Sequence, residues 1–388
     1  MHAVRTSRNV LSIVLLAAAC MAQLIPGAKA QTDALERVTN ATNETSQLKK
    51  AGPPHDPTTL GIVTGDRNDT EFTAADEIAQ LIATGQESGP HGEMALRVAP
   101  MVGDGGGLQN IRDVLTLADA DMSIVPVAML NRAPAALGLD DLRMHIVYIA
   151  PLYEEEFHIV APLTIGNISD LAGKTVNLGM EDTAAAVLAA VLGGEVFERL
   201  GLKVNAVNFD QSRAMRAMRR GEIEADLLLS SKPVGSLASD IFLEDRLHFI
   251  EIPYLPALEK DFLPATLTHD DYPNLILPGQ SIDTIGTRSV LIAYNWPKGS
   301  DRYRLLDSFV RTLFSRFSEL QTGPHHPKWR EVNLAATVPG WSRFPPAQRW
   351  LDQQEFESFL NKWGTGAEAD RARLFHDFLR WREQSGGG

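Results

Sequence analysis

Acidic and hydrogen-bonding side chains gather in a few short stretches of this chain, each where an apolar run gives way to glycine or to a helical pattern. The first stretch holds Asp66, Arg67, Asn68, Asp69 and Thr70, and the second is the glycine loop from Gly103 through Asp104, Gly105, Gly106 and Gly107, with Asn110 beyond it. The third carries Glu181, Asp182 and Thr183 after Gly179, the fourth is Ser230 and Ser231 before Lys232, and Arg288 opens a late apolar run. This is binding chemistry. Glycines let backbone N–H groups approach a ligand, hydroxyls and amides orient it, and a guanidinium fork such as Arg67 or Arg288 matches a carboxylate with two parallel hydrogen bonds. Each residue also has an ordinary structural reading: acids near a helix start are capping groups, Asn110 faces a crevice or caps a turn, and Ser-Ser-Lys before Pro233 is a turn. As a group, the acids favour a ligand that is neutral-polar or cationic, or an acid bound through a cation such as Ca²⁺.

Catalytic constellations are missing from the sequence. There is no G-x-S-x-G, H-E-x-x-H or G-x-x-x-x-G-K-S/T, and no G-x-G-x-x-G opens a helix. His325 and His326 are adjacent, so they point in different directions and lack a zinc partner at helical spacing. The single cysteine, Cys20, excludes an intrachain disulfide, a thiolate cluster and a redox pair. No cofactor is called for. Acids outnumber Lys plus Arg by 49 to 36, a formal charge of −13, which argues against a nucleic-acid partner.

The elements that position these stretches alternate between strand and helix. TTLGIVTG (58–65) reads as a strand, and Ala75, Ile78, Ala79 and Ile82 mark the helix after it. Met94 to Pro100 is a second strand, Leu108, Ile111, Leu115 and Ala118 a second helix, and MSIVPV a third strand. Two apolar runs follow, His145 to Ala150 and Phe157 to Ala161, and then the rhythm repeats. VNLG, a helix to about Leu200 interrupted by Gly193 and Gly194, a strand over 204–209, a helix over 212–220 stopped by Gly221, and a strand over 225–230 make the second unit. A Pro-rich loop region leads to a strand at Arg288 to Tyr294 and a helix bearing Leu306, Phe309, Val310 and Leu313. The reading is an α/β, two-lobed clamshell with extra C-terminal helices: lobe I over 58–160 plus 285–345, lobe II over 161–284, and a helical extension over 346–388. In such units ligands bind at the carboxyl ends of the parallel strands, where the stretches named above fall.

The N-terminus reads as an export signal. Arg5 and Arg8, the apolar run Val10 to Ala19 and the A-x-A site Ala28 to Ala30 place cleavage after residue 30, with a polar linker over 31–57. Cys20 sits in a loose lipoprotein-like box, but Ala17 is small for that motif and the apolar run continues past the cysteine, so the soluble form is favoured. Cleavage removes three basic residues and no acid, which leaves 33 against 49 and a charge of −16. No later segment is apolar for long enough to span a membrane.

LYEEEFHIVA (152–161), NISDLAGKTVNLG (167–179), RAMRRGEIEADLLLSSKP (216–233), DYPNL (271–275) and GTRSVLIA (286–293) resemble, in order and spacing, the TAXI-type solute-binding subunits of TRAP transporters. The resemblance covers about 60–320. It implies a type II periplasmic-binding-protein fold and a periplasmic receptor that captures a small polar solute and hands it to the membrane permease subunits. The Gly/Ser-rich loop usual after the first strand is replaced here by Asp66 to Thr70, and Glu181 and Asp182 stand where small residues are usual. Both changes oppose a bare anion. The alternative is an exported sensory or interaction protein on the same fold, which a neighbouring permease gene would distinguish.

Overall fold

β1 (Thr59–Thr64) is buried along its length, because Leu60, Ile62 and Val63 meet helices on both faces of the sheet. The computed structural model describes residues 54–65, 67, 69–84, 96–103, 107–180, 183–184, 188, 202–239, 241, 243–363, 374–376 and 378–380. The expected signal, most of the linker and the helix after Thr183, apart from Ala184 and Leu188, lie outside them.

After β1 comes α1 (Thr70–Thr84), which turns Ala74, Ala75, Ile78 and Ile82 inward at helical spacing. β2 (Arg97–Val102), α2 (Leu108–Thr116) and β3 (Ala120–Pro126) complete a parallel β2-β1-β3 group. The second half repeats it with β5 (Thr175–Asn177), β6 (Asn205–Val207), α4 (Gln211–Arg219) and β7 (Ala225–Ser230), in the order β6-β5-β7. α4 starts on Asp210, whose carboxylate accepts from the Arg213 N–H at 2.9 Å. It ends in a Schellman motif: Gly221 lies at φ 69°, its N–H meets the Met218 carbonyl, and the Glu222 N–H meets that of Ala217.

Two long strands join the halves. β4 (Ile146–Pro162) and β10 (Ser281–Tyr294) are antiparallel to each other and run through both groups, giving the order β2-β1-β3-β10-β4-β7-β5-β6. β3 pairs with β10, which arrives from the second half, and β7 pairs with β4, which arrives from the first. Gly286 is required where they cross, since a Cβ there would lie 2.9 Å from the Glu155 carbonyl oxygen. Short strands β8 (Leu247–Phe249) and β9 (Leu263–Thr268) extend the second half.

Several expectations need correction. The two apolar runs on either side of 151–156 are one 17-residue strand, because Glu155 and Glu156 between them are buried rather than looped out. Arg288 lies in the middle of β10 instead of opening it, and the Pro-rich region contains β9. α3 (Val127–Leu137) has no counterpart in the sequence reading: Pro134 obscures it, and Gly138 at φ 64° ends it. β2 starts at Arg97 and reaches Val102, later than read.

α5 (Asp301–Ser315), α6 (Phe317–Thr322) and α7 (Pro345–Trp363) pack on the α1 face of the sheet, with a strap over 323–344 between the last two. A buried ion pair pins them. Arg302 grips Asp121 of β3 through Nε at 3.0 Å and through a second, shorter Nη2 contact, while Asp121 also accepts from the Gly61 N–H at 3.1 Å. Asp121 is fully buried and Arg302 nearly so. Replacing Arg302 with Met strands that carboxylate, and denaturant unfolding should register a loss of about 3–5 kcal/mol.

Candidate functional site

At the crossing, β4 carries three consecutive acids. Glu154, Glu155 and Glu156 stand opposite Arg288, Thr287 and Gly286 of β10, and the register then shifts, so that Leu152 and Tyr153 of β4 both face Ser289. That bulge sends both side chains into the α1-face core, where Tyr153 meets Trp329 edge-on at 6.0 Å between ring centroids.

The acids have different partners. Glu154 is half-buried, 3.4 Å from the Arg288 guanidinium, and its carbonyl accepts from Ser231 Oγ at 2.9 Å. Glu155 accepts from Ser289 Oγ, and Glu71 of α1 lies close enough to perturb it. Burial, chiefly, pushes Glu155 up to about 7, and burial followed by repulsion from Glu155 and Asp69 raises Glu71 well above the carboxylate range. Glu156 accepts from Lys328 Nζ at 2.6 Å and from the Lys232 N–H at 3.0 Å, and Lys328 also reaches Glu331 at 3.0 Å. Burial opposes charge on Lys328, but Glu156 and Glu331 more than offset it, so the ammonium is held. Glu156 therefore ties the strap of the first half to the Ser231–Lys232 turn at the carboxyl end of β7.

That turn is fixed from the other side as well. The Lys232 ammonium donates to the Thr266 carbonyl at 2.6 Å and lies 3.2 Å from Asp271. Tyr272 accepts from the Val234 N–H at 2.9 Å and bonds to His158 Nε2 at 2.7 Å. Burial drives His158 down to about 3, so its ring is neutral.

The structure brings some of the sequence candidates together and not others. Ser230 pairs with Glu156 in the ladder, and Ser231 and Arg288 both reach Glu154, so these three converge on the crossing. Thr70 is buried at the start of α1, next to Glu71. Asn110 is fully buried and ties α2 to the end of β1 through the Thr64 carbonyl at 3.0 Å, leaving Oδ1 unpartnered beside Gly103. Arg67 is exposed, with its guanidinium 5.6 Å over the Phe72 ring. Thr183 is half-buried and donates to the Met180 carbonyl at 2.8 Å. Asp66, Asn68, Gly105, Gly106, Glu181 and Asp182 lie outside the described residues. The sequence reading named none of Glu71, Tyr153, Glu154, Glu155, Glu156 or Lys328 as site residues. The available signal was the acidic triplet inside an apolar run.

Arg288, Glu331 and Asn333 also line a cavity of about 110 Å³ between the crossing and the strap. A larger hollow of about 750 Å³ lies on the flank of the second half, against β9 and β10. Among the described residues no group of three or more His, Cys, Asp or Glu is arranged to hold a metal ion, and no helix is long and apolar enough to cross a membrane.

Two α/β groups whose parallel strands end facing each other across a shared antiparallel pair define a two-lobed clamshell of the type II periplasmic-binding-protein class. Residues 62–345 match the NMT1-like family, and the chain belongs to that family. No curated protein matches the chain in sequence. Among solved structures it is similar to the alkanesulfonate-binding protein SsuA from Xanthomonas axonopodis pv. citri, at 14% identity and a TM-score of 0.42 over 80% of this chain and 95% of that one. It is also similar to the periplasmic binding protein BugD, at 12% identity and a TM-score of 0.42, covering 78% and 97% of the two chains. An ancestral arginine-binding protein gives 14% identity and a TM-score of 0.41, covering 71% and 96%.

Replacing Lys328 with Met leaves Glu156 buried without its cation, and stability measured by denaturant should fall by about 3 kcal/mol; adding Glu156→Gln to that variant should restore much of the loss.

Proposed function

We propose that this protein is an exported solute-binding receptor that closes its two lobes over a small polar solute and has no catalytic role. The observation that carries this reading is the exchange of β4 and β10 between the halves, since it sets the carboxyl ends of β1, β3, β5 and β7 around one crevice with a pivot at its back. The lobes divide at the crossing, lobe I taking 58–160 plus 285–345 and lobe II 161–284. Closure is a hinge motion favoured by contacts that only the closed form makes.

The finer reading is a TAXI-type subunit that works in the periplasm and passes its solute to a TRAP-type membrane permease. The motif order from Leu152 to Ala293 and the N-terminal signal pattern support it. The crevice chemistry favours a neutral-polar or cationic solute. Asp69 supplies negative charge at the start of α1, where the helix end would otherwise attract an anion, and Asp66, Asp104, Glu181 and Asp182 add to it in sequence.

A thermal-unfolding screen across amino acids, polyamines, sugars, neutral amides and simple dicarboxylates tests the receptor reading and the charge argument. A cognate solute at a hundred times its Kd should add about 2.7 kcal/mol of stability. A neutral or cationic hit is the expected outcome; tight capture of a dicarboxylate in the presence of chelator would overturn the charge argument, and no shift from any class would overturn the receptor reading.

A further inference from the structure

Two elements that belong to different halves meet on the face of the sheet opposite α1. One is α3, which is fixed to the first half: its Ala128 N–H donates to the Thr287 hydroxyl at 3.3 Å, and Asn131 accepts from the Trp341 indole N–H of the strap at 3.0 Å. The other is the segment over 253–262, which is fixed to the second half. It leads directly into β9, the Tyr254 hydroxyl donates to its Phe262 carbonyl at 3.2 Å, and the Ile252 N–H just before it donates to the Asp283 carbonyl at 3.0 Å. Leu258 and Phe262 are buried in the same core as Met129 and Ala133 of α3.

Across that contact Arg132 of α3 meets Asp261 at 2.5 Å, although 129 residues separate them in the chain. The Asp261 side chain is 10% exposed and that of Arg132 34%. Among the described residues neither side chain makes another hydrogen bond or ion pair, and Arg132 Nε is buried without a partner. A carboxylate nine-tenths out of water needs a countercharge, and here it comes from the other half. Lys328 and the Lys232 N–H also link the halves, but both end on Glu156 of β4. Arg132 and Asp261 join them side chain to side chain without passing through a crossing strand.

We infer that Arg132 and Asp261 form a latch between the lobes, which sets the angle at which the unliganded protein rests. The latch depends on the two-lobed hinge reading above and not on what the crevice holds. A rotation that carries 253–262 off α3 separates the two charges and hydrates both, so the pair favours the arrangement in which they touch by its own interaction free energy. A partly exposed ion pair of this kind changes a two-state population ratio about two- to fivefold. That biases the resting ensemble, yet a bound solute can override it. A solute that requires a different lobe angle must first part the pair, and its apparent affinity is reduced by that factor.

Spin-label distance measurement by pulsed electron resonance on the unliganded protein tests the latch. Labels at Ala136→Cys and Thr164→Cys, exposed positions in the first and second half, are introduced in a Cys20→Ser background. Arg132→Met and Asp261→Asn should each broaden the distance distribution and move its mean, and Arg132→Asp combined with Asp261→Arg should bring it back toward the wild type. Asp261→Asn keeps the shape of the side chain and removes only its charge, so it decides the outcome if Arg132→Met fails to fold. Coincident distributions in the wild type and the single variants, or a double variant that stays displaced, would overturn the latch. The receptor reading is decided separately by the solute screen on the wild type: a stabilising solute together with coincident distributions removes the latch and leaves the receptor, whereas displaced distributions with no stabilising solute do the reverse.

Discussion

Taking a carboxylate out of water costs several kcal/mol unless it is paired or protonated, and β4 takes Glu155 and Glu156 into the crossing at 1% and 2% exposure. Much of the surrounding structure answers that demand. Lys328 reaches in from the strap, the Lys232 N–H comes from the turn after β7, Ser289 donates from β10, and Glu71 leans in from α1. Each partner belongs to a different element. Glu156 in particular determines where the strap lies over the sheet and how the β7 turn meets the first half.

The rest of the frame is tied together independently of the crossing. Arg302 and Asp121 bind α5 to the middle of the β1–β3 group, well away from β4. Trp329 of the strap donates to Glu77 of α1 at 2.5 Å and packs edge-on against Tyr153 and Phe317. Arg343 is spread over the carbonyls of Leu334, Ala336 and Ile149. The strap is therefore rigidly part of the first half, and Lys328 is the point at which it grips the strand leading into the second.

Much of this frame could be read from the amino acids. Helical spacing in Ala75, Ile78 and Ile82, the glycine after α4 and the repeated strand–helix rhythm gave the two α/β groups and their order. The reading failed where local pattern and tertiary context disagree. Three glutamates in a row look like a loop, because the sequence does not reveal that Ser289, Lys328 and Glu71 converge on them from 134, 172 and more than 80 residues away. α3 was hidden by a proline in its last turn, and β9 by the prolines around it. Of the candidate site residues, those near the strand ends of β7 and in β10 fall at the crossing. Asn110 is a structural tie rather than an open contact, and its role depends on a carbonyl 46 residues away.

The exchange of long strands also governs how the chain reaches this structure. β3 is complete long before β10 exists, and the Ala128 N–H finds its partner, the Thr287 hydroxyl, 159 residues later. Neither half can close its sheet from its own contiguous segment, so neither can be excised as an independently folding piece. Pairings of that separation are slow to form. Both halves of the sheet therefore wait on one late strand, and the fold closes only once β10 has paired with β3 and β4.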